Sequence, residues 1–217
     1  MSMPRLVLPL CFLLLPFAAG CSDRATLADT ETDAGIATAA PVVAATEPPA
    51  TVPASADPAS DEPERIPDVI YVPTPQPVVD AMLNLAQVKP GDVLYDLGSG
   101  DGRIPVTAAR RFGVRATGID IDPVRIREAN ANAEEAGVTD LVTFKQEDLF
   151  KTDFSDATVV TLYLLDSLNE KLRPRLLNEL APGTRIVSHA FRMGDWEPEQ
   201  TVEVGDSTIF LWTVPAR

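Results

Sequence analysis

The sequence predicts an α/β fold in which a mostly parallel sheet of seven strands is covered by helices on both faces. Strand-like and helix-like patterns alternate over residues 66–217 with short connections, which is typical of such sheets. The run Thr158–Leu164 is almost wholly apolar, as expected of a strand buried on both faces. The alternating segments Thr201–Val204 and Ser207–Thr213 are joined by a Gly-Asp pair, so they predict a C-terminal antiparallel hairpin.

The remaining elements follow from periodicity and from turn residues. Their predicted order is helix Gln76–Ala86, strand Val93–Asp96, helix Ile104–Phe112, strand Val114–Ile119, helix Pro123–Ala136, strand Leu141–Lys145, helix Leu168–Leu180 and strand Arg185–Ala190. Pro174 lies inside the Leu168–Leu180 pattern, and proline lacks the N–H that a helix interior uses. We therefore expect that helix to be broken or restarted at Pro174.

A glycine-rich turn follows the first predicted strand. The stretch Val93–Gly102 is an apolar run that ends in an acid, Asp96, and continues into a turn with glycines at Gly98, Gly100 and Gly102. Glycines permit positive φ and a close approach of the backbone, and the next helix directs its N-terminal N–H groups at one anionic group. The pattern predicts a site for a nucleotide-type cofactor.

The spacing of the glycines narrows the choice of cofactor. Dinucleotide sites use G-x-G-x-x-G, whereas this turn is G-x-G-x-G with Arg103 at the place of the third glycine, which disfavours NAD and FAD. Asp96 suits a cationic amine, as in the methionine part of S-adenosylmethionine (SAM), and Asp120 after the second strand suits two ribose hydroxyls. The alternative is a tight turn of another kind of α/β protein.

The first 20 residues predict an export signal. Arg5 precedes the apolar run Leu6–Ala19, which is too short to span a bilayer comfortably, and small residues stand directly before Cys21. The pattern resembles the lipobox of bacterial lipoproteins, which implies that Cys21 carries lipid and ties an exported domain to a membrane. The alternative is an uncleaved anchor. With Cys11 removed and Cys21 lipidated, no thiol remains for a disulfide or a cysteine-based metal site.

Residues 21–65 predict a disordered tether, because this stretch of Ala, Thr, Pro, Asp and Glu contains hardly any large apolar side chain. Residues 22–65 carry a charge of −7, and subtracting it and the charge of Arg5 from the total of −14 leaves −8 for residues 66–217. An acidic domain repels phosphate backbones, so we expect no nucleic-acid partner. Basic protein segments and small neutral molecules stay possible.

The folded region resembles the class I SAM-dependent methyltransferases, which implies a Rossmann-like sheet. The loop Asp96–Gly102, the acid Asp120 and the E-D-L run Glu147–Leu149 stand in the order of that family. The segment Tyr71–Pro75 before a helix, together with Trp196 after the fifth strand, is similar to a small group of protein-lysine methyltransferases acting on mitochondrial carrier and ATP-synthase subunits. The resemblance implies methyl transfer to a protein lysine or a similar amine.

The resemblance also assigns residues to the cofactor. It implies that Asp96 binds the methionine amine and that Asp120 holds the ribose. It implies that the backbone passes under the cofactor at Gly98, Gly100 and Gly102. For the adenine, it implies that Ile121 packs on the ring, that Asp148 contacts the amino group and that Leu149 contacts the ring face. Asp148 could equally be a helix N-cap or a turn acid, and Ile121 could be ordinary core.

The residues that would contact the methyl acceptor carry a less specific sequence pattern than those assigned to the cofactor. Tyr163 stands at the carboxyl end of the fourth strand, where ligands of open α/β sheets collect. It is therefore the best candidate for a residue that lines the channel of the methyl acceptor. The alternative is that Tyr163 packs in the core. Tyr71 and Trp196 could hold an amine by cation–π attraction. His189 is more readily a core or hydrogen-bonded histidine than a catalytic one. One histidine and no usable cysteine predict no metal site.

An exported location and a SAM cofactor are hard to reconcile. SAM is made in the cytosol and carries charge, so an exported protein should meet little of it. Two further hypotheses therefore stand beside the enzyme. One is a membrane-tethered module that binds SAM or adenosine without turnover, and the other is a lipoprotein with an inactive methyltransferase fold.

Overall fold

The computed structural model describes residues 70–217. The predicted signal segment 1–20, the lipidated Cys21 and the tether 21–65 lie outside the described residues, so they stay predictions. No helix among residues 70–217 is long and apolar enough to cross a membrane.

Four helices and seven strands alternate along the described chain. In chain order they are α1 (Gln76–Leu85), β1 (Val93–Leu97), α2 (Arg103–Phe112), β2 (Arg115–Asp120), α3 (Pro123–Ala136), β3 (Val142–Gln146), β4 (Val159–Leu162), α4 (Asp166–Glu179), β5 (Arg185–His189), β6 (Gln200–Val204) and β7 (Ser207–Thr213). Every predicted element is present within one or two residues, and β4 is shorter than predicted at both ends.

The strands form one sheet in the order β3-β2-β1-β4-β5-β7-β6. The strands β1 to β5 pair in parallel, and β7 pairs antiparallel with both β5 and β6. The predicted α/β class and the C-terminal antiparallel hairpin are therefore confirmed. In parallel sheets of this kind the strand order reverses at one point, here between β1 and β4, and ligands collect beyond the carboxyl ends of the strands at that point.

Two apolar clusters cover the two faces of the sheet. Buried residues of α1, α2 and α3 join one cluster, which includes Leu94, whereas Leu172 and Leu176 of α4 join the other, which includes Tyr95. Because successive strand residues point to opposite faces, Leu94 and Tyr95 belong to different clusters. Helices thus cover both faces, as the sequence predicts.

Two predictions of local structure are corrected. The helix α4 continues through Pro174, because proline removes a single backbone hydrogen bond while Leu172 and Leu176, both fully buried, hold the helix to the sheet on either side of it. The strand β4 ends at Leu162, although the apolar run continues to Leu164. Its neighbour β1 ends at Leu97, the residue paired with Leu162, so pairing on that side stops there.

A charged network closes the amino ends of three neighbouring strands. Arg185 at the start of β5 donates hydrogen bonds to the buried carboxylate of Asp92 and to the carbonyls of Ala86 and Gln87. The hydroxyl of Thr158 also donates to Asp92, at 2.8 Å. This network lies at the opposite edge of the sheet from the carboxyl ends.

Candidate active site

A cavity of about 510 Å³ opens at the carboxyl ends of the strands, beside the reversal between β1 and β4. Its volume lies in the usual range for sites that hold small molecules. The segment before α1, the turn after β1, the end of β2, the loop after β3 and the residues after β4 all contribute to its wall. Five separate segments therefore meet where the sequence predicts a cofactor.

The glycine turn runs along one wall of the cavity. The N–H groups of Gly98 and Ser99 both donate to the carbonyl of Ile119, at 2.8 and 2.9 Å, which fixes the turn to the end of β2. Gly98 lines the cavity, whereas Gly100 and Gly102 do not. All three have positive φ, of 85°, 53° and 75°.

The absent side chains of Gly100 and Gly102 make room for protein neighbours. A Cβ on Gly100 would stand 2.3 Å from the ring of Tyr71, so that ring lies directly against the turn. A Cβ on Gly102 would stand 2.3 Å from the ring of Phe144 and 2.8 Å from Ala129. Gly102 thus permits the close contact of helix and strand that a dinucleotide fold assigns to its third glycine.

Asp96 presents a buried carboxyl group to the cavity. Its side chain is 3 % exposed and accepts a hydrogen bond of 2.7 Å from the hydroxyl of Thr161 on β4. The pKa of Asp96 is raised to about 8, mainly because the group is buried and also because the carboxylates of Asp120 and Asp101 lie nearby, while the hydrogen bond from Thr161 acts to lower it. Such a carboxyl group is poised to receive a cation.

Asp120 uses both carboxylate oxygens to hold the backbone around it. One oxygen accepts from the N–H of Gly100 at 2.8 Å, and the other accepts from the N–H of Asp122 at 2.9 Å. Each oxygen keeps a second lone pair for a further donor. The sequence predicts a ribose contact for Asp120 but does not reveal that this side chain also fixes the glycine turn.

The loop after β3 adds Asp148 and Leu149 to the wall, and Ile121 after β2 lines the same cavity. The carboxylate of Asp148 accepts from the N–H of Phe150 at 3.0 Å, so Asp148 is a turn acid in addition to lining the cavity. Ile121 and Leu149 are half-buried and place apolar surface there. These three side chains line the same cavity.

Arg175 of α4 ties this loop to the domain. Its guanidinium group donates to the carbonyls of Leu149 and Thr152, at 3.2 and 2.8 Å, pairs with Glu179, and lies 4.5 Å from the ring centroid of Phe154. The sequence gives no signal for this role, because an arginine on a predicted helix reads as a solvated surface residue.

Tyr163 lines the cavity just after β4, and a buried histidine lies behind it. The ring centroids of Tyr163 and His189 are 3.9 Å apart, and Nδ1 of His189 is 3.3 Å from the hydroxyl oxygen of Thr74. Burial lowers the pKa of His189, so its ring is neutral at pH 7. His189 is 3 % exposed and is absent from the cavity wall, in keeping with the hydrogen-bonded core histidine that the sequence favours.

The two other aromatic candidates stand in different places. Tyr71 lines the cavity, with the guanidinium group of Arg125 at 4.7 Å from its ring centroid. Trp196 does not line it. The Trp196 ring packs at 6.1 Å from Trp212, whose indole N–H donates to the carbonyl of Trp196. The fold thus directs Trp196 into the cluster beneath α4.

Several cavity residues go unnoticed in the sequence. Arg103 forms an ion pair with Asp101 and donates to the carbonyl of Thr74 at 2.9 Å, which holds the segment before α1 across the turn. Ser99 is 6 % exposed, and its hydroxyl is without a hydrogen-bond partner among the described residues. This oxygen lies against Gly118 of β2, where a Cβ would stand 2.8 Å from it.

Known proteins resemble this chain in sequence. A family model described as the ANTKMT methyltransferase domain matches residues 96–200. A protein-lysine N-methyltransferase of Saccharolobus islandicus is 47% identical over 154 residues, which are 69% of this chain and 96% of that protein. An adenine nucleotide translocase lysine N-methyltransferase of Mus musculus is 35% identical over 147 residues, but the match spans only 63% of the mouse protein.

A solved structure resembles it as well. An RNA methyltransferase from Salinibacter ruber, in complex with S-adenosyl-L-homocysteine, shows 60% sequence identity and a TM-score of 0.66. The similarity covers 67% of this chain and 95% of the Salinibacter chain.

Proposed function

This chain belongs to the SAM-dependent protein-lysine N-methyltransferase family, and from that membership we propose that it methylates the ε-amine of lysine side chains in proteins. The observation that carries the proposal is the buried carboxyl group of Asp96, which faces a cavity bounded by the glycine turn and by Asp120. A carboxylate can compensate the charge of an α-ammonium group, and a second acid nearby suits a sugar.

The side chains of the cavity fit SAM. Asp96 would bind the α-ammonium group, and the free lone pairs of Asp120 would accept from the ribose hydroxyls. Ile121 and Leu149 supply apolar surface for the adenine ring, and Asp148 stands beside them for its amino group.

When bound, SAM supplies an electrophilic methyl group that a neutral amine attacks in line with the leaving sulfur. The chain then has to place that amine at about 3 to 3.5 Å from the methyl carbon and to exclude competing orientations. Tyr163 suits this task because it lines the cavity and is held from behind by the ring of His189. Since His189 is absent from the wall, we assign the loss of the lysine proton to water.

Charge favours protein over RNA as the substrate. The cavity wall holds the two guanidinium groups of Arg103 and Arg125, and both are paired with carboxylates. It also holds six carboxyl side chains, which are Asp96, Asp101, Asp120, Asp122, Glu147 and Asp148. A phosphate backbone would be repelled there, whereas a lysine would be attracted. RNA remains the second candidate because of the name given to the Salinibacter protein.

Tritium transfer tests the proposal. The full chain is incubated with methyl-labelled SAM and with lysate protein or RNA, and modified lysines are identified by mass spectrometry. We expect label in lysine, with Asp96→Asn and Asp120→Asn each losing at least about tenfold in activity, which equals 1.4 kcal/mol. Asp206→Asn, in the exposed hairpin turn, is the matched control and should keep full activity. Label that ribonuclease removes would contradict the proposal.

The same experiment separates enzyme from binding module. Calorimetry with S-adenosylhomocysteine and adenosine measures binding independently of turnover. Binding without transfer to any lysate protein would favour a sensor, and no binding would favour an inactive fold.

For the location we propose export and lipidation of Cys21, on the sequence pattern of residues 1–21 alone. Labelling with a fatty acid should be sensitive to globomycin and should disappear in Cys21→Ser. Label that survives this substitution would refute lipidation. Finding methylated lysines only in cytosolic proteins would refute an exported active form.

A further inference from the structure

The exposed apolar side chains of the described residues are concentrated at the mouth of the cavity. Six large apolar residues of this part of the chain are exposed, and they are Ile70, Tyr71, Val72, Val124, Leu165 and Val202. Three of them, Ile70, Tyr71 and Val72, line the cavity itself. Ile70 is 87 % exposed and Val72 is 50 % exposed.

Two more are neighbours in sequence of residues that line the wall. Leu165 follows the lining residue Leu164, and Val124 lies between the lining residues Asp122 and Arg125. Only Val202, on the hairpin strand β6, is away from the cavity. We call the group of Ile70, Tyr71, Val72, Val124 and Leu165 the apolar rim. Scattered exposed apolar residues need no explanation, but a group around one opening marks a binding surface.

The rim surrounds carboxylates. Asp101, Asp122, Glu147 and Asp148 line the same cavity. Arg103 and Arg125 pair with Asp101 and Asp122, but the six carboxyl groups of the wall outnumber these two guanidinium groups, so the opening joins net negative charge with apolar surface. A lysine side chain has the complementary character, with a cationic head and an apolar stem. Its neighbours in a protein chain would then meet the rim.

We infer that the acceptor is a lysine whose neighbouring residues are apolar, and that the apolar rim binds those neighbours while the carboxylates attract the ammonium group. This inference rests on the proposed function and specifies its substrate class. A lysine surrounded by polar residues would reach the cavity but would leave the rim exposed to water. Apolar neighbours gain binding in proportion to the area they remove from water.

The test compares two synthetic peptides of equal length and equal charge, each with one lysine. One has Leu and Val on both sides of the lysine, and the other has Ser and Gly. With the full chain and labelled SAM, we expect kcat/KM to be at least about tenfold higher for the apolar peptide, which corresponds to 1.4 kcal/mol. Equal kcat/KM for the two peptides would overturn the inference.

Substitutions in the chain supply the second part of the test. Val72→Ser and Leu165→Ser should lower the ratio of the two kcat/KM values toward one. Val202→Ser is the matched control, because it removes an exposed apolar side chain that does not line the cavity, and it should keep the ratio of the unmodified chain. An equal fall of the ratio in Val202→Ser and Leu165→Ser would also overturn the inference.

Other occupants of the rim give different results. If a second copy of the chain covers it, Leu165→Ser should shift the sedimentation of the protein from dimer to monomer and leave the peptide ratio unchanged, which refutes the inference. If the chain methylates RNA but neither peptide, the proposed function itself fails. If it methylates both peptides equally, the proposed function stands and only the inference on the neighbours fails.

Discussion

The hydroxyl of Thr161 donates a hydrogen bond of 2.7 Å to the carboxyl group of Asp96, and it is the contact that counteracts the effect of burial on that acid. Thr161 is fully buried on β4 and Asp96 is 3 % exposed on β1, so the pair joins the two strands between which the sheet order reverses. Burial nevertheless raises the pKa of Asp96 to about 8.

Cofactor binding should therefore depend on pH. Below pH 8 the Asp96 carboxyl group is largely protonated in the free protein, whereas the α-ammonium group of S-adenosylhomocysteine favours the carboxylate. We expect the affinity to rise by up to about tenfold per pH unit between pH 6 and pH 8. Calorimetry in two buffers of different ionisation enthalpy should detect release of a proton. Asp96→Asn should abolish this dependence, and a constant affinity for the unmodified chain would contradict the raised pKa.

The same group should affect the stability of the free protein in the opposite direction. With a folded pKa of about 8 against an ordinary value of 3.8, the folded state holds a proton that the unfolded state has lost. The free energy of unfolding should fall as pH rises from about 5 to 8, on the order of 1 kcal/mol per unit. Asp96→Asn should reduce this slope in urea denaturation at several pH values. Identical slopes for the two proteins would show that Asp96 ionises normally.

Arg175 and Arg173 form a matched pair for testing the loop after β3. Arg175 bonds the carbonyls of Leu149 and Thr152, whereas Arg173 bonds Met193 at 3.0 Å and pairs with Asp195 on the other side of α4. Lysine keeps the charge but cannot make the forked contacts.

We expect Arg175→Lys to weaken binding of S-adenosylhomocysteine about fivefold, because the loop that carries Leu149 loses a support of about 1 kcal/mol. Arg173→Lys should leave that affinity unchanged. Calorimetry decides the matter, and equal affinities for both variants would show that Arg175 has no influence on the cofactor.

The Arg185–Asp92 pair should determine stability without affecting the cofactor. Both side chains are largely buried, so Arg185→Met leaves an uncompensated carboxylate and should cost about 3–5 kcal/mol in urea denaturation. The affinity of the folded variant for S-adenosylhomocysteine should not change, because the pair lies at the opposite edge of the sheet. A weakened affinity would contradict this separation.

Acid should diminish the cost of Arg185→Met. Burial acts to raise the pKa of Asp92, but the hydrogen bonds from Arg185, the Lys89 N–H and Thr158 outweigh it and hold the pKa below 3.8. The stabilisation is complete above the ordinary value and is lost as pH falls through the lowered one. The difference between the two proteins should therefore shrink below about pH 4. A difference that stays constant in acid would show that Asp92 contributes little.

The features that the sequence could predict are those determined by residues close together in the chain. The glycines of the turn, Asp96 and Asp120 are recognisable because each follows an apolar strand at a fixed spacing. Of these residues Asp96, Gly98 and Asp120 line the cavity, in agreement with that pattern. The continuous helix at Pro174 escaped prediction because tertiary packing outweighs one missing hydrogen bond. A local pattern contains no information about such packing.

Contacts between distant segments explain what the sequence missed. Thr161 bonds a partner 65 residues away, Arg103 one 29 residues away, and Arg175 two that are 23 and 26 residues away. The periodicity of a sequence does not predict such distant partners. Trp196 shows the converse, because an aromatic residue after β5 could face the cavity or the core. Its partner Trp212 belongs to the last strand, so the fold alone determines its direction.

The distribution of aromatic residues gives the molecule two independent optical probes. Tyr71 and Tyr163, two of the three tyrosines in the chain, line the cavity, whereas both tryptophans pack together beneath α4. Tyrosine absorbance should therefore follow ligand entry, while tryptophan emission excited at the red edge should follow the integrity of the core. A single unlabelled sample can thus distinguish a variant that has lost its ligand from one that has lost its fold.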